Sequence, residues 1–426
     1  MQRGKPWGLF AIATHLVLLS AICAAPGRAQ NLILNPGVET PDSNDPQVPE
    51  HWRSYSYGQN NVTFSYDHTG HNSSRSVRLV VQNYEDGGAT WQHDPVAVTG
   101  GKFYTFSAYV TGNIEAHVVI RQEWTANSGF YGTGDSYQLK QAHSSTGKWS
   151  KYTDTFFVPE GVSTVRVMFV AMANGSLSVD DFSLEQSSYS VNSGRTPTVS
   201  IMADDNWSNF KTNALPIMDQ YGYKATFYIQ TGRLGEAWTL NADDLIALRA
   251  AGHEIAAHTE SHADLSLLDR DEAWDEIQDS VDMLNGILGG DFVTDFATPL
   301  GGHSALVDDL LRDCGFDGMG QCAFGSNRNL SGWFNYPENY SPLDIRTVAM
   351  KDTIYLPELR AILQVAKDNH LWVTLTYHQV ANDSDIKPTG TTTVRTGIFR
   401  QQMALIHDMG FRVVVVDQAL REFIKN

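Results

Sequence analysis

Three stretches in the second half of this 426-residue chain gather side chains that bind metals or move protons. In Met202-Ala203-Asp204-Asp205-Asn206-Trp207 two adjacent carboxylates close a strand-like run. Successive side chains of an extended backbone point to opposite sides, so one carboxylate could ligate a cation while the other faces a water. The same Asp-Asp pair is also ordinary turn chemistry. His258 and His262 stand four apart in Gly252-His253-Glu254-Ile255-Ala256-Ala257-His258-Thr259-Glu260-Ser261-His262. A helical turn there would set both imidazoles on one face, as chelation of a metal requires. The spacing sends His253 elsewhere, to a structural role. In Val373-Thr374-Leu375-Thr376-Tyr377-His378 an apolar run ends on a histidine that, taken alone, reads as structural.

Each of these groups sits at the end of a predicted strand, where α/β folds keep their sites. Strand-like runs cover Thr198 to Ala203, Lys224 to Gln230, His253 to Thr259, Asp295 to Pro299, Leu371 to Val380 and Phe411 to Val416. Helical periods lie between them, at Ala242 to Ala251, Asp269 to Leu288, Ala305 to Cys314, Leu356 to Asn369 and Ile398 to Met409. Repeating βα units of this kind predict a parallel sheet, open or closed into a barrel. The first half differs. From Asn31 to about Glu185 short alternating strands such as Phe103 to Val110 and Val165 to Val170 are separated by Gly, Asn, Asp and Ser turns, which predicts an all-β sandwich. The polar segment Gln186 to Pro197 reads as a linker.

Taken together, the second half resembles the polysaccharide deacetylase (NodB-homology, carbohydrate esterase family four) domain from about Thr198 to the C-terminus. The Asp-Asp segment is similar to the family's Thr-Phe-Asp-Asp-Gly motif, and His258-Thr259-Glu260-Ser261-His262 to its His-(Ser/Thr)-x-x-His motif. Phe296-Ala297-Thr298-Pro299-Leu300-Gly301 resembles the Arg-x-Pro-x-Gly motif, and Thr376-Tyr377-His378 the C-terminal histidine motif. The resemblance implies a distorted (β/α)7 barrel. It implies that Asp205, His258 and His262 hold a divalent metal, most often Zn2+, that Asp204 is the general base, and that His378 is the general acid. A backbone N–H near Leu300 would help hold the oxyanion, and Trp207 would line the substrate. Three protein ligands leave a fourth position open for chemistry.

The chain departs from the family at three points. Ala203 and Asn206 stand where the first motif has Phe and Gly, and Ala297 stands where the third has the Arg that pairs with the base. Arg346, in Asp344-Ile345-Arg346-Thr347-Val348, is the candidate substitute, the alternative being a surface ion pair. The Trp-bearing fourth motif is not identifiable.

The first half resembles jelly-roll carbohydrate-binding modules, through Asn31-Leu32-Ile33-Leu34-Asn35-Pro36-Gly37-Val38-Glu39 at its start and Leu177-Ser178-Val179-Asp180-Asp181-Phe182 at its end. Such modules often carry a structural Ca2+ between first and last strands, for which Glu39 and Asp181 are candidate oxygen ligands, edge-strand carboxylates without a metal being the alternative. Trp91, Trp124 and Tyr131 lie in turn-rich surroundings where a ring could stack on a sugar, core packing being the alternative for each, whereas Trp52 and Trp149 read as core.

Residues 1–29 read as a secretory leader: Arg3 and Lys5 precede an apolar stretch from Leu9 to Ala25, and Gly27-Arg28-Ala29 offers small residues for cleavage. The mature chain is then expected to be secreted or periplasmic, without a membrane anchor, and monomeric. Losing Arg3, Lys5 and Arg28 takes the formal charge from -18 to -21, which disfavours nucleic acid and anionic membrane as partners. Cys314 and Cys322 either form a local disulfide or stay as buried thiols. The resulting expectation is removal of N-acetyl groups from an amino-sugar polysaccharide of chitin, peptidoglycan or exopolysaccharide type. O-acetyl ester hydrolysis on a glycan such as acetylated xylan and a catalytically silent carbohydrate-binding protein are the competing readings.

Overall fold

A computed structural model of the protein describes residues 30–114, 116–124, 136–138, 142, 144–158, 161–187, 195–302, 304–313, 326–329, 334–335, 343, 345–352, 354, 356–382 and 392–424. The leader, Tyr131, Cys314 and Cys322 lie outside the described residues. No helix among the described residues is long and apolar enough to cross a membrane.

The N-terminal half consists of two antiparallel sheets around one hydrophobic core. One sheet runs Asn61–Asp67, Ser76–Gln82, Gly175–Gln186, Lys102–Gly112, Ser150–Val158, and the other Trp52–Tyr57, Gly88–His93, Val162–Ala171, Ala116–Trp124, Ser136–Gln138, with Val96–Ala97 at its side. The alternation seen in the sequence is the physical cause. Along Lys102–Gly112 the residues Tyr104, Phe106, Ala108 and Val110 turn inwards, and Thr105, Ser107, Tyr109 and Thr111 outwards.

The C-terminal half is a parallel sheet flanked by helices. In spatial order its strands are Ile345–Arg346, Ser326–Asn329, Asp295–Ala297, Glu254–Ala257, Ala225–Ile229, Thr198–Ala203, Trp372–Tyr377 and Val348–Ala349, and Arg412–Val413 also pairs with Thr198–Ala203. The first and last of these are separated by Thr347 alone, so the sheet closes on itself through that residue. Thr198–Ala203 is buried along its whole length, as a strand covered on both faces must be. Arg270–Leu288 shows how the helices are specified. Asp269 accepts from the Asp271 and Glu272 amides, Gly289 ends the helix at φ 76°, and Ala273, Ile277, Val281 and Leu284 form its buried stripe.

Sequence periodicity placed the principal strands within a few residues of their observed ends, with one exception. The run Phe411 to Val416 is strand only over Arg412–Val413, and helix Val416–Ile424 begins at its end. Two side chains of neighbouring strands capture the amides there: Val416 N–H donates to Thr226 Oγ1 (2.9 Å) and Asp417 N–H to Glu254 Oε2 (3.2 Å). That helix packs Val416, Ala419 and Leu420 against Met202, Tyr228, Ala256 and Trp372 inside the sheet. It closes the end opposite the ligand-bearing loops.

Candidate metal centre

Asp204 and Asp205 diverge for a reason the sequence concealed. Asp204 continues the strand, its N–H donating to Tyr377 O (2.9 Å), and is buried. The chain then leaves the extended region, with Asp205 at φ 63° and Asn206 at φ 46°. Both are left-handed, a conformation that Gly, Asn and Asp tolerate best. Asn206 therefore serves where the family motif has Gly, and that departure is conservative in backbone terms.

The two histidines converge without a helix. His258 follows Glu254–Ala257, its N–H donating to Ile229 O (3.0 Å). Thr259 (φ 64°) and His262 (φ 68°) are left-handed, and the buried Thr259 hydroxyl accepts from His262 N–H (3.0 Å). The expected helical turn is replaced by a loop that this hydroxyl holds in shape. The two rings stand edge to face, centroids 5.0 Å apart. Non-glycine left-handed residues are uncommon, and they gather here at Asp205, Asn206, Thr259, His262 and Leu300 (φ 57°).

Asp205 Oδ1 lies 3.3 Å from His258 Nε2 and 3.2 Å from His262 Nε2. These three atoms are the group of His, Cys, Asp or Glu ligand atoms that meets within 4.8 Å among the described residues. Ligands about 2.0–2.2 Å from a tetrahedral ion stand about 3.3–3.6 Å from one another, so the separations suit a single small cation. His258 Nδ1 donates to Ala297 O (2.7 Å), which fixes the tautomer and leaves the Nε2 lone pair for a metal. Asp205 Oδ1 is buried with both histidine Nε2 atoms beside it, as expected of an oxygen shaped for a cation. Burial alone would raise the Asp205 carboxyl, but hydrogen bonding to His258 and His262 overrides it and holds the group well below the usual carboxylate range. Hydrogen bonding to Asp205 raises His262 in turn, against its own burial.

His378 faces both carboxylates from the neighbouring strand end. Its Nε2 is 3.9 Å from Asp204 Oδ2 and 4.0 Å from Asp205 Oδ2, beyond direct hydrogen bonding. His253, by contrast, accepts from Ala225 N–H at Nδ1 (3.1 Å), and burial, aided by the charge of Lys224, pushes it down to about 4. It is a neutral structural group, as its spacing implied.

At the rim, Trp207 Nε1 donates to Asp205 Oδ2 (3.3 Å), and its ring meets Trp238 at 4.5 Å. Arg233 sits over the other partner of that pair, 5.4 Å from the Trp238 ring centre. Trp238 and Arg233 were not singled out in the sequence. Their loop is tied to the site by the bridge Trp207 to Thr239 and by the Thr231 and Gly232 amides, which donate to Thr259 O (3.2 Å) and Glu260 O (2.8 Å). Leu300, in the turn Pro299–Gly301 that follows the strand whose Ala297 O holds His258, is 70% exposed.

Two candidate residues are placed differently from expectation. Arg346 does not take the role of the missing motif arginine: Ile345 points into the closed sheet, and the Arg346 guanidinium points out of it onto Asp154 and Thr155 O of the sandwich. The residue that the strand register sets opposite Ala297 is Arg328. Trp91 is a core residue, its ring packed edge-on to Phe64 at 5.7 Å and its N–H donated to Arg78 O, because alternation along Gly88–His93 turns Ala89, Trp91 and His93 inwards. Trp124 ends the strand Ala116–Trp124, and Tyr131 lies outside the described residues.

Exposed aromatics occur instead on Trp52–Tyr57. Trp52 points into the core, so Tyr55 and Tyr57 point out, 50% and 48% exposed, with rings stacked at 6.0 Å. The alternating Tyr-Ser-Tyr was the available signal. Glu39 accepts from Ser74 N–H, Ser74 Oγ and Arg75 N–H, and Asp181 Oδ2 lies 2.8 Å from His71 Nδ1. Both carboxylates flank Gly37, where an added Cβ would come within 3.6 Å of Asp181 Oδ1 and 3.7 Å of Glu39 Cγ.

Comparison with known proteins agrees with this division. The polysaccharide deacetylase family model matches residues 192–319, and a carbohydrate binding domain model matches residues 30–175. A protein of Arthroderma benhamiae named "Probable peptidoglycan-N-acetylglucosamine deacetylase" is 33% identical over 118 residues, 27% of this chain and 26% of that protein, so the chain matches about a quarter of that relative's length. Similar solved structures include a variant of the peptidoglycan deacetylase PdaC from Bacillus subtilis (18% identity, 55% of this chain and 94% of that one, TM-score 0.36). Another is the Xyl-CE4 domain of a multidomain xylanase from the hindgut metagenome of Trinervitermes trinervoides (14% identity, 54% and 91%, TM-score 0.36).

Proposed function

We propose that this chain, which belongs to the polysaccharide deacetylase family through residues 192–319 and carries a carbohydrate-binding domain ahead of them, is a secreted, monomeric, metal-dependent hydrolase that removes N-acetyl groups from an amino-sugar polysaccharide. The observation that carries the reading is the meeting of Asp205 Oδ1, His258 Nε2 and His262 Nε2 within 4.8 Å, with Asp204 and His378 beside them. The fold reading goes with it: a distorted (β/α)7 barrel for the closed parallel sheet and a jelly roll for the two antiparallel sheets.

Asp205, His258 and His262 would hold the cation, zinc in this reading, which when bound polarises the acetyl carbonyl and acidifies a water. Asp204, buried and fixed through its amide, accepts the proton as water attacks the carbonyl carbon. Positioned bases of this kind contribute about 10²–10⁴-fold. A backbone N–H near Leu300, in the Pro299–Gly301 turn, would receive the oxyanion. His378, facing the two carboxylates, delivers a proton to the departing nitrogen, so that the C–N bond breaks to give acetate and a free amine. Trp207, Trp238 and Leu300 supply flat or apolar contact for the sugar ring. On the sandwich, Tyr55 and Tyr57 hold a longer stretch of the polymer.

Acetate release from N-acetylglucosamine oligomers, peptidoglycan and acetylated xylan, with and without chelator, tests the reading. Chelator-sensitive release from the amide substrates is expected. Release from acetylxylan alone would make the chain an ester hydrolase, and no release from any substrate would make it a binding protein.

A further inference from the structure

Arg346 lies in the contact between the two halves. Its side chain is 3% exposed and that of Asp154 2%, and the guanidinium donates to the Asp154 carboxylate and, at 3.0 Å, to Thr155 O. Around this pair the hydrophobic core is continuous between domains. Phe103 and Phe157 of the sandwich belong to the same cluster as the barrel helices, and Phe157 meets Phe334 edge to face at 5.7 Å. An ion pair removed from water so fully costs desolvation that only good geometry and further hydrogen bonds recover, and a loosely tethered module has no need of one.

Arg346 also lies on the seam where the parallel sheet closes. Its backbone N–H donates to Asn335 Oδ1 (2.9 Å), and its carbonyl accepts from Asn335 Nδ2 (2.9 Å) and Thr374 Oγ1 (2.7 Å). The next residue, Thr347, shares a hydrogen bond with Thr376 Oγ1 (2.7 Å), two residues before His378, and Met350 N–H donates to Thr376 O (2.8 Å). A line of direct contacts therefore runs from Asp154 through Arg346, Thr347 and Thr376 to the strand that presents His378.

We propose that the sandwich is a permanent clamp on this seam, with Arg346 as a positioning residue: docked on Asp154, it holds Thr347 against the His378 strand, so that turnover needs the sandwich even for substrates too short to reach it. The inference rests on the deacetylase reading for its catalytic half, while its structural half stands apart from any activity.

The test uses the full chain loaded with zinc, with Asp154→Asn, Arg346→Gln, the double variant, Arg346→Lys and Thr347→Val. Calorimetry of the parent should give one cooperative transition. Asp154→Asn and Arg346→Gln should each lower the midpoint and separate a barrel transition from a sandwich transition, with the double variant losing less than the two singles combined. With a soluble N-acetylglucosamine oligomer, kcat should fall about tenfold or more in both singles while KM stays within about twofold and zinc stoichiometry is unchanged. Arg346→Lys, which keeps the charge but not the fork, should recover part of kcat. Thr347→Val, inside the barrel, should lower kcat without splitting the transition, and so reports the line of contacts even where the interface variants fold poorly. Additive midpoint losses with one transition throughout would overturn the clamp. A split transition with kcat unchanged, or a normal Thr347→Val, would overturn the positioning role. Absence of acetate release from the parent would instead refute the deacetylase reading, leaving the calorimetry to judge the clamp.

Discussion

Trp207→Phe isolates one hydrogen bond at the metal centre. The indole N–H reaches Asp205 Oδ2 at 3.3 Å, leaving Oδ1 to the histidines, and phenylalanine keeps an aromatic ring against Trp238 while deleting that donor. Hydrogen bonds to charged groups contribute about 1.5–3 kcal/mol net, and a long bond to a half-buried donor belongs at the lower limit, about 1.5 kcal/mol. At about 1.4 kcal/mol per tenfold, the dissociation constant for Zn2+ should rise about tenfold, in line with the effect of partners that orient metal ligands. Titrating the metal-free protein with Zn2+ against a competing chelator dye measures this directly. At saturating Zn2+ kcat should change by less than about threefold, because the ring and both proton-handling groups remain. An affinity within about twofold of the parent would show that the indole N–H does not orient Asp205, and the division of labour between its two oxygens would have to be abandoned.

Asp204→Asn should keep the metal and lose about 10²–10⁴ in kcat, since Asp204 lies outside the ligand triad, and acetate release together with zinc content checks both halves. Glu254, part-buried and hydrogen-bonded to Asp295, is raised well above its usual 4.5 by desolvation and then by that neighbouring carboxyl. The folded state therefore holds a proton that the unfolded chain releases above about 4.5, and stability should decline as pH rises from there through the raised folded value. Glu254→Gln keeps an acceptor for Thr226 and removes the titration, so its thermal midpoint should gain on the parent with rising pH, at about 2–4 °C per kcal/mol, and parallel midpoint curves would contradict the assignment. Tyr55→Ala with Tyr57→Ala should weaken adsorption to insoluble polymer about tenfold while leaving kcat on a soluble oligomer unchanged, as a pull-down and an acetate assay would report.

The sequence disclosed the elements and the ligands better than the means by which they meet. Periodicity located Thr198–Ala203, Glu254–Ala257 and Trp372–Tyr377 because buried parallel strands are continuous apolar runs, and it predicted that chemistry would sit at their ends. It did not disclose that Asp205, Thr259 and His262 enter the left-handed region, since nothing in those residue types compels it and tertiary contacts impose it. The short strands Ser326–Asn329 and Ile345–Arg346 carry no clear period, and so the closing seam was missed and Arg346 was assigned by motif order. Trp91 was misread because turn-rich surroundings say little about which face of a strand a residue occupies, whereas the inward register of Gly88–His93 decides it.

The central claim is that Asp205, His258 and His262 bind one divalent cation. X-ray absorption at the zinc edge of the zinc-loaded chain tests it most directly, and should show a four-coordinate ion with two imidazole nitrogens at about 2.0–2.1 Å and the remaining positions filled by oxygen. A chain that retains no zinc, or a spectrum that is the same in His258→Ala, would contradict the account.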